Sequence, residues 1–93
     1  MELVVQFIFR GKLYFCRAFI DSSEYPCLLF VFLKEKELIL RFGEEVTLKT
    51  DFETLLPKKD DYPALVELRR AIFDAVKYTS AFLAAKQKQR ETK

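Results

Sequence analysis

The residues most able to do chemistry are two cysteines, Cys16 and Cys27, and the chain has no histidine to activate either. A reactive thiolate needs its pKa lowered by a nearby imidazole, a cation or a CxxC partner. Cys16 and Cys27 sit instead inside the apolar runs YFCRAF and PCLLF. Both read as inert core thiols. The missing histidine also removes the commonest general base and the commonest transition-metal ligand. Glu44-Glu45 and Asp60-Asp61 are adjacent acids in turn-like stretches with no third ligand, which is the pattern of solvated caps. Gly11 and Gly43 are isolated, so no loop cradles phosphate. These residues predict a non-enzymatic protein with no catalytic residue, no metal and no cofactor.

The remaining candidates are cations set among aromatics. Arg10, Arg17, Lys34 and Arg41 are spread over the same stretch as Phe15, Phe19, Phe30 and Phe32, in a chain that holds ten Phe and four Tyr. That mixture characterises the cores of protein interfaces and also single-stranded nucleic-acid platforms. The overall charge is +2, from 16 basic and 14 acidic residues, and this balance does not favour nucleic acid. MELVVQFIF has an acid where a secretory signal needs a basic stretch, and no small-residue cleavage site follows. No apolar run approaches the length of a membrane span. The expectation is a cytoplasmic protein with no membrane contact.

Positioning these residues falls first to a set of strands. Residues 2–10 and 12–21 are rich in Val, Ile and Phe, and a turn at Gly11-Lys12 would pair Phe9 with Tyr14, Phe7 with Cys16 and Val5 with Ala18. Paired residues share a face. One face is then Leu3, Val5, Phe7, Phe9, Tyr14, Cys16, Ala18 and Ile20, which carries no charge. Residues 27–34 and 37–42 are expected as a third and fourth strand around Glu35-Lys36, with Leu33 opposite Leu38 and Val31 opposite Leu40. A turn near Ser23 sets Ile20 against Cys27 and Cys16 against Val31, so the two thiols are not opposite one another. Val46, Leu48 and Thr50 continue the parity, as a fifth strand or as the fourth strand beyond a bulge at Gly43.

Thr50-Asp51-Phe52-Glu53 has the form of a capping box and predicts a helical turn before Pro57. Residues 58–61 read as a solvated linker. From 62 to 90 the period becomes helical, with Leu65, Leu68, Ile72, Val76, Phe82 and Leu83 on one stripe. A continuous helix of that length would run about 40 Å and overhang the sheet, ending in a frayed basic tail. The domain is therefore read as a β-meander over 1–50, a helical turn and linker over 51–61, and a C-terminal helix over 62–90. The fold class is α+β: an antiparallel four- to five-stranded β-meander followed by one long C-terminal α-helix packed on one face. This ββββα order resembles, in topology alone, the PUR-repeat and Whirly nucleic-acid binders.

The helix covers the charge-free face and leaves the other. The expected registers place Gln6, Arg17, Phe30 and Arg41 in one row of that second face, and Ile8, Phe15, Phe32 and Ile39 in the next, with Phe19 beside them. A sheet with one wet face alternates apolar and polar residues. This face does not, and contiguous apolar patches of that kind mark contact surfaces. The predicted interaction surface is Ile8, Phe15, Arg17, Phe19, Phe30, Phe32, Ile39 and Arg41. The leading reading is a small module that self-associates as a homodimer through it. The alternatives are single-stranded nucleic acid on the same face, and an apolar ligand pocket between sheet and helix.

Overall fold

The computed structural model describes residues 2–23, 25–56 and 62–91. Four alternating stretches, β1 (Glu2–Phe9), β2 (Lys12–Asp21), β3 (Cys27–Leu33) and β4 (Glu45–Thr50), form one antiparallel sheet in sequential order. Three helices accompany it: α1 (Lys36–Phe42), α2 (Pro63–Val76) and α3 (Ser80–Glu91). The α+β class and the meander stand as expected; the single long helix does not.

The β1–β2 turn is Arg10-Gly11, with φ of 52° and 77°. A two-residue turn with both central residues left-handed matches the twist of the flanking strands. Phe9 therefore pairs with Lys12, Phe7 with Tyr14 and Val5 with Cys16, two residues away from the expected register. The β2–β3 pairing is displaced by two as well, with Ile20 opposite Leu29 and Ala18 opposite Val31. Because side chains alternate with period two, an even slip moves the rows and leaves every residue on its own face.

The larger correction concerns residues 37–42. They form α1, not a strand, and the expected pairs Leu33–Leu38 and Val31–Leu40 do not exist. β3 has one further edge to offer, and β4 occupies it by setting Val31 against Val46 and Leu29 against Leu48. EVTLKT alternates cleanly, whereas LIL presents three consecutive apolar residues that no one-sided strand can bury. As a helix the same residues turn Leu38 into the core, with Ile39 and Phe42 packed against it. The Glu35 carbonyl accepts the first helical N–H bonds, and Gly43 closes the last turn at φ 89° by donating to Ile39 O at 2.9 Å. α1 is thus an excursion within the β3–β4 hairpin, whose strands close again where Leu33 N–H donates to Glu44 O at 2.9 Å.

The charge-free face is the core. Val5, Phe7, Phe9, Tyr14, Cys16, Ala18, Ile20, Cys27, Leu29, Val31, Leu33, Val46 and Leu48 are all buried on it, and Leu3 is half-buried. α2 packs on it, chiefly over β1, and contributes Leu68, Ile72, Phe73 and Val76. The helical stripe then breaks at residues 77–79. Thr79 donates its hydroxyl to Val76 O at 2.7 Å and accepts Phe82 N–H at 3.2 Å, capping the start of α3. The bend returns the chain to the core in place of the expected overhang: the Phe82 ring sits 5.9 Å from Phe73 and 5.5 Å from Phe52. Leu83, placed on the stripe by a straight helix, is exposed. α3 runs to Glu91, beside the expected helix end at residue 90.

The capping box at Thr50 is likewise absent. Asp51 instead accepts the N–H groups of Glu53 and Thr54 at 2.9 and 2.7 Å, an Asx-type turn, and these bonds hold its carboxyl below the ordinary range. Glu53 pairs with Lys86 of α3 at 2.7 Å. The expected linker, Pro57 and the Asp60-Asp61 pair lie outside the described residues.

Candidate interaction surface

The even-numbered positions of β1 and the odd-numbered positions of β2 face away from α2 and α3, as do Leu28, Phe30 and Phe32 of β3. From β4 the parity adds Glu45, Thr47 and Lys49. The observed registers give one row of Glu2, Phe19, Phe30 and Thr47, and a second of Val4, Arg17, Phe32 and Glu45. Gln6 with Phe15, and Ile8 with Leu13, extend the face toward the Arg10-Gly11 turn.

Of the eight residues expected here, six are present: Ile8, Phe15, Arg17, Phe19, Phe30 and Phe32. The other two are corrections. Ile39 and Arg41 are carried off the sheet by α1, where Ile39 packs against the core and Arg41 lies over the Phe42 ring. Arg10, another cation considered for the face, spends its guanidinium on Glu67 of α2 at 2.8 Å.

Ile8 and Val4 are about two-thirds exposed, and Phe15, Phe19 and Phe32 remain more than two-fifths exposed. Leaving a large apolar side chain in water forgoes roughly 1.5–3 kcal/mol of burial free energy, so a cluster of them is a large unmet driving force. The face is also dished. Glu2, Arg17, Phe19, Phe30, Phe32 and Glu45 line an open depression of about 500 Å³. Its floor is aromatic and its charges are mixed, with Arg17 3.6 Å from Glu2. Glu2 and Glu45 are the residues that sequence reasoning missed. The signal was available: once 45–50 is read as a full strand, its parity puts Glu45, Thr47 and Lys49 on this side.

The inner face offers no comparable chemistry. Burial pushes the Cys16 thiol up to about 12 and the Cys27 thiol up to about 11, so both are protonated and unreactive at neutral pH. They are free, with Leu33 opposite Cys16 and Thr50 opposite Cys27. Glu37 of α1 takes a bond from Lys12 at 2.6 Å and one from the Tyr14 hydroxyl at 2.7 Å. The Lys12 bond is the main reason its carboxyl sits below the ordinary range. This triad fastens α1 to the hairpin. Among the described residues no helix is long and apolar enough to cross a membrane.

No protein-family model, curated protein or solved structure matches this chain. α1 between β3 and β4, and the division of the C-terminal helix in two, also depart from the ββββα order of PUR-repeat and Whirly proteins.

Proposed function

We propose that this protein is a small, non-enzymatic interaction module that self-associates through the outer face of its sheet. The observation that carries this reading is the aromatic depression with both charge signs on it. A two-fold interface presses a surface against its own copy, so it must be self-complementary. A patch holding Arg17 with Glu2 and Glu45 can set base against acid across such an axis, while Phe15, Phe19, Phe30 and Phe32 supply the apolar centre. The same observation weakens the nucleic-acid reading. Of the four cations that reading drew on, Arg10 is paired with Glu67, Arg41 is on α1, and Arg17 has Glu2 at 3.6 Å. Such a set lends less support to an electropositive track for phosphates than to a self-complementary surface.

Light scattering on the wild type and on Phe32→Glu tests the proposal. The wild type is expected as a dimer or a multiple of it, insensitive to salt, with Phe32→Glu dissociating it while the far-ultraviolet circular dichroism is unchanged. A wild type that is monomeric at high concentration, or a Phe32→Glu variant of undiminished mass, overturns it.

A further inference from the structure

The two edges of the sheet are treated differently. At the β4 edge the chain doubles back: Thr50 bridges to Leu55, and Leu56 N–H donates to Lys49 O at 2.9 Å. Glu45 and Lys49 place further charge there. β1, at the opposite edge, has α2 packed over its inner side but none of these devices along its own chain. Its eight residues pair with β2 without a bulge, and from Leu3 to Phe9 it holds no charge, no proline and no glycine. Proteins blunt exposed edges with charges, prolines, bulges or covering loops because an open edge is a template for another strand.

The hairpin geometry says which groups that template offers. In a two-residue turn the flanking pair, here Phe9 and Lys12, exchanges both backbone hydrogen bonds, and bonded pairs then alternate along the ladder. Leu3, Val5, Phe7 and Phe9 therefore spend their N–H and C=O groups on β2. Those of Val4, Gln6 and Ile8 point off the edge, and among the described residues no backbone or side-chain partner meets them. The side chains of Val4 and Ile8 are 63% and 66% exposed.

We infer that β1 pairs antiparallel with β1 of a second copy, Gln6 opposite Gln6, to make a continuous eight-stranded sheet. The outward-pointing backbone groups are all on even-numbered residues, so the bonded pairs across the edge join even to even. Side chains then stay on their own faces. With Gln6 on the two-fold axis, Val4 meets Ile8, Leu3 meets Phe9 and Val5 meets Phe7. Apolar meets apolar and amide meets amide. A slip to centre the axis on Val5 would set Glu2 against Ile8 and Val4 against Gln6. The matched register selects a second copy of this chain as the strand that completes the edge. This axis is perpendicular to the sheet, whereas an axis joining two outer faces lies parallel to it. The two contacts are compatible, and together they close four chains with no free β1 edge.

Single-cysteine cross-linking reads the register, because the native Cys16 and Cys27 are buried, protonated thiols. Gln6→Cys puts two thiols across the axis within disulfide reach. It is expected to oxidise to a linked dimer about tenfold faster than Val4→Cys or Ile8→Cys, each of which faces the other's position. Hydrogen exchange on the unmutated protein supplies a readout that needs no variant to fold: the Val4, Gln6 and Ile8 amides should be protected at high concentration and exposed on dilution. Gln6→Pro, which removes an outward-pointing N–H and none of the backbone bonds to β2, should halve the mass. Equal oxidation rates for the three cysteine variants, or free exchange of those amides at high concentration, overturns the edge pairing. Either result does so whether or not Phe32→Glu disrupts the outer face.

Discussion

The two faces of this sheet are built from the same strands and end in opposite conditions. Along β3, Cys27, Leu29, Val31 and Leu33 point inward and are almost wholly inaccessible, while Leu28, Phe30 and Phe32 point outward and remain partly or largely wet. A strand apolar on both sides is the pattern of one covered on both sides. α2 and α3 cover one side, and no described residue covers the other. Hydrophobicity alone therefore does not separate core from surface here. What separates them is which face the helices found, and the surplus on the other face is what the proposed self-association would use.

The comparison can be broken most forcefully with matched phenylalanines. Phe7→Ala, on the inner face, should cost about 3–5 kcal/mol, read by urea denaturation at fixed protein concentration. Phe15→Ala, on the outer face, should cost the isolated monomer about 1 kcal/mol or less, the span of strand propensity. Equal costs would show that the outer face is as tightly packed as the inner one.

The inner thiols give the next effect. Each has a folded pKa raised above the ordinary value of 9.0, to about 12 for Cys16 and about 11 for Cys27. Raised pKa values mean stability that is complete below 9 and is lost as pH climbs toward 11 and 12. The denaturation midpoint should fall across that alkaline window, and Cys16→Ala should flatten the fall. A disulfide-exchange reagent at neutral pH should label both thiols only as the protein unfolds.

Smaller again is the cap that returns α3 to the inner face. Thr79→Ala removes the acceptor for Phe82 N–H and should cost about 1 kcal/mol by the same denaturation measurement. The smallest effect belongs to Glu37, whose carboxyl is held below its ordinary 4.5 by Lys12 and Tyr14. Its contribution is present above that value and is lost as pH falls through the lowered pKa. The gap between wild type and Glu37→Gln should accordingly close in acid.

Much of the architecture was legible without coordinates. Every residue assigned to the charge-free side of β1 and β2 is on the buried side, although both registers were displaced by two. Six of the eight residues assigned to the outer face are on it. The two misplaced ones, Ile39 and Arg41, share one cause: a short apolar run has no periodicity that distinguishes a strand from a helical turn. Gly43 after Phe42, Glu37 in the first turn and Arg41 in the last were the helix signals available there. Thr79 within the long stripe was the corresponding signal for the break between α2 and α3.

Parity was set by the amino-acid order alone, because alternation is a property of neighbouring residues and survives any even slip of register. The rows themselves, the choice of 45–50 over 37–42 as the partner of β3, and the fold-back of α3 onto Phe52 and Phe73 were decided in three dimensions. Each depends on competition for a single edge or a single patch of core, and such competition exists only once the elements have met.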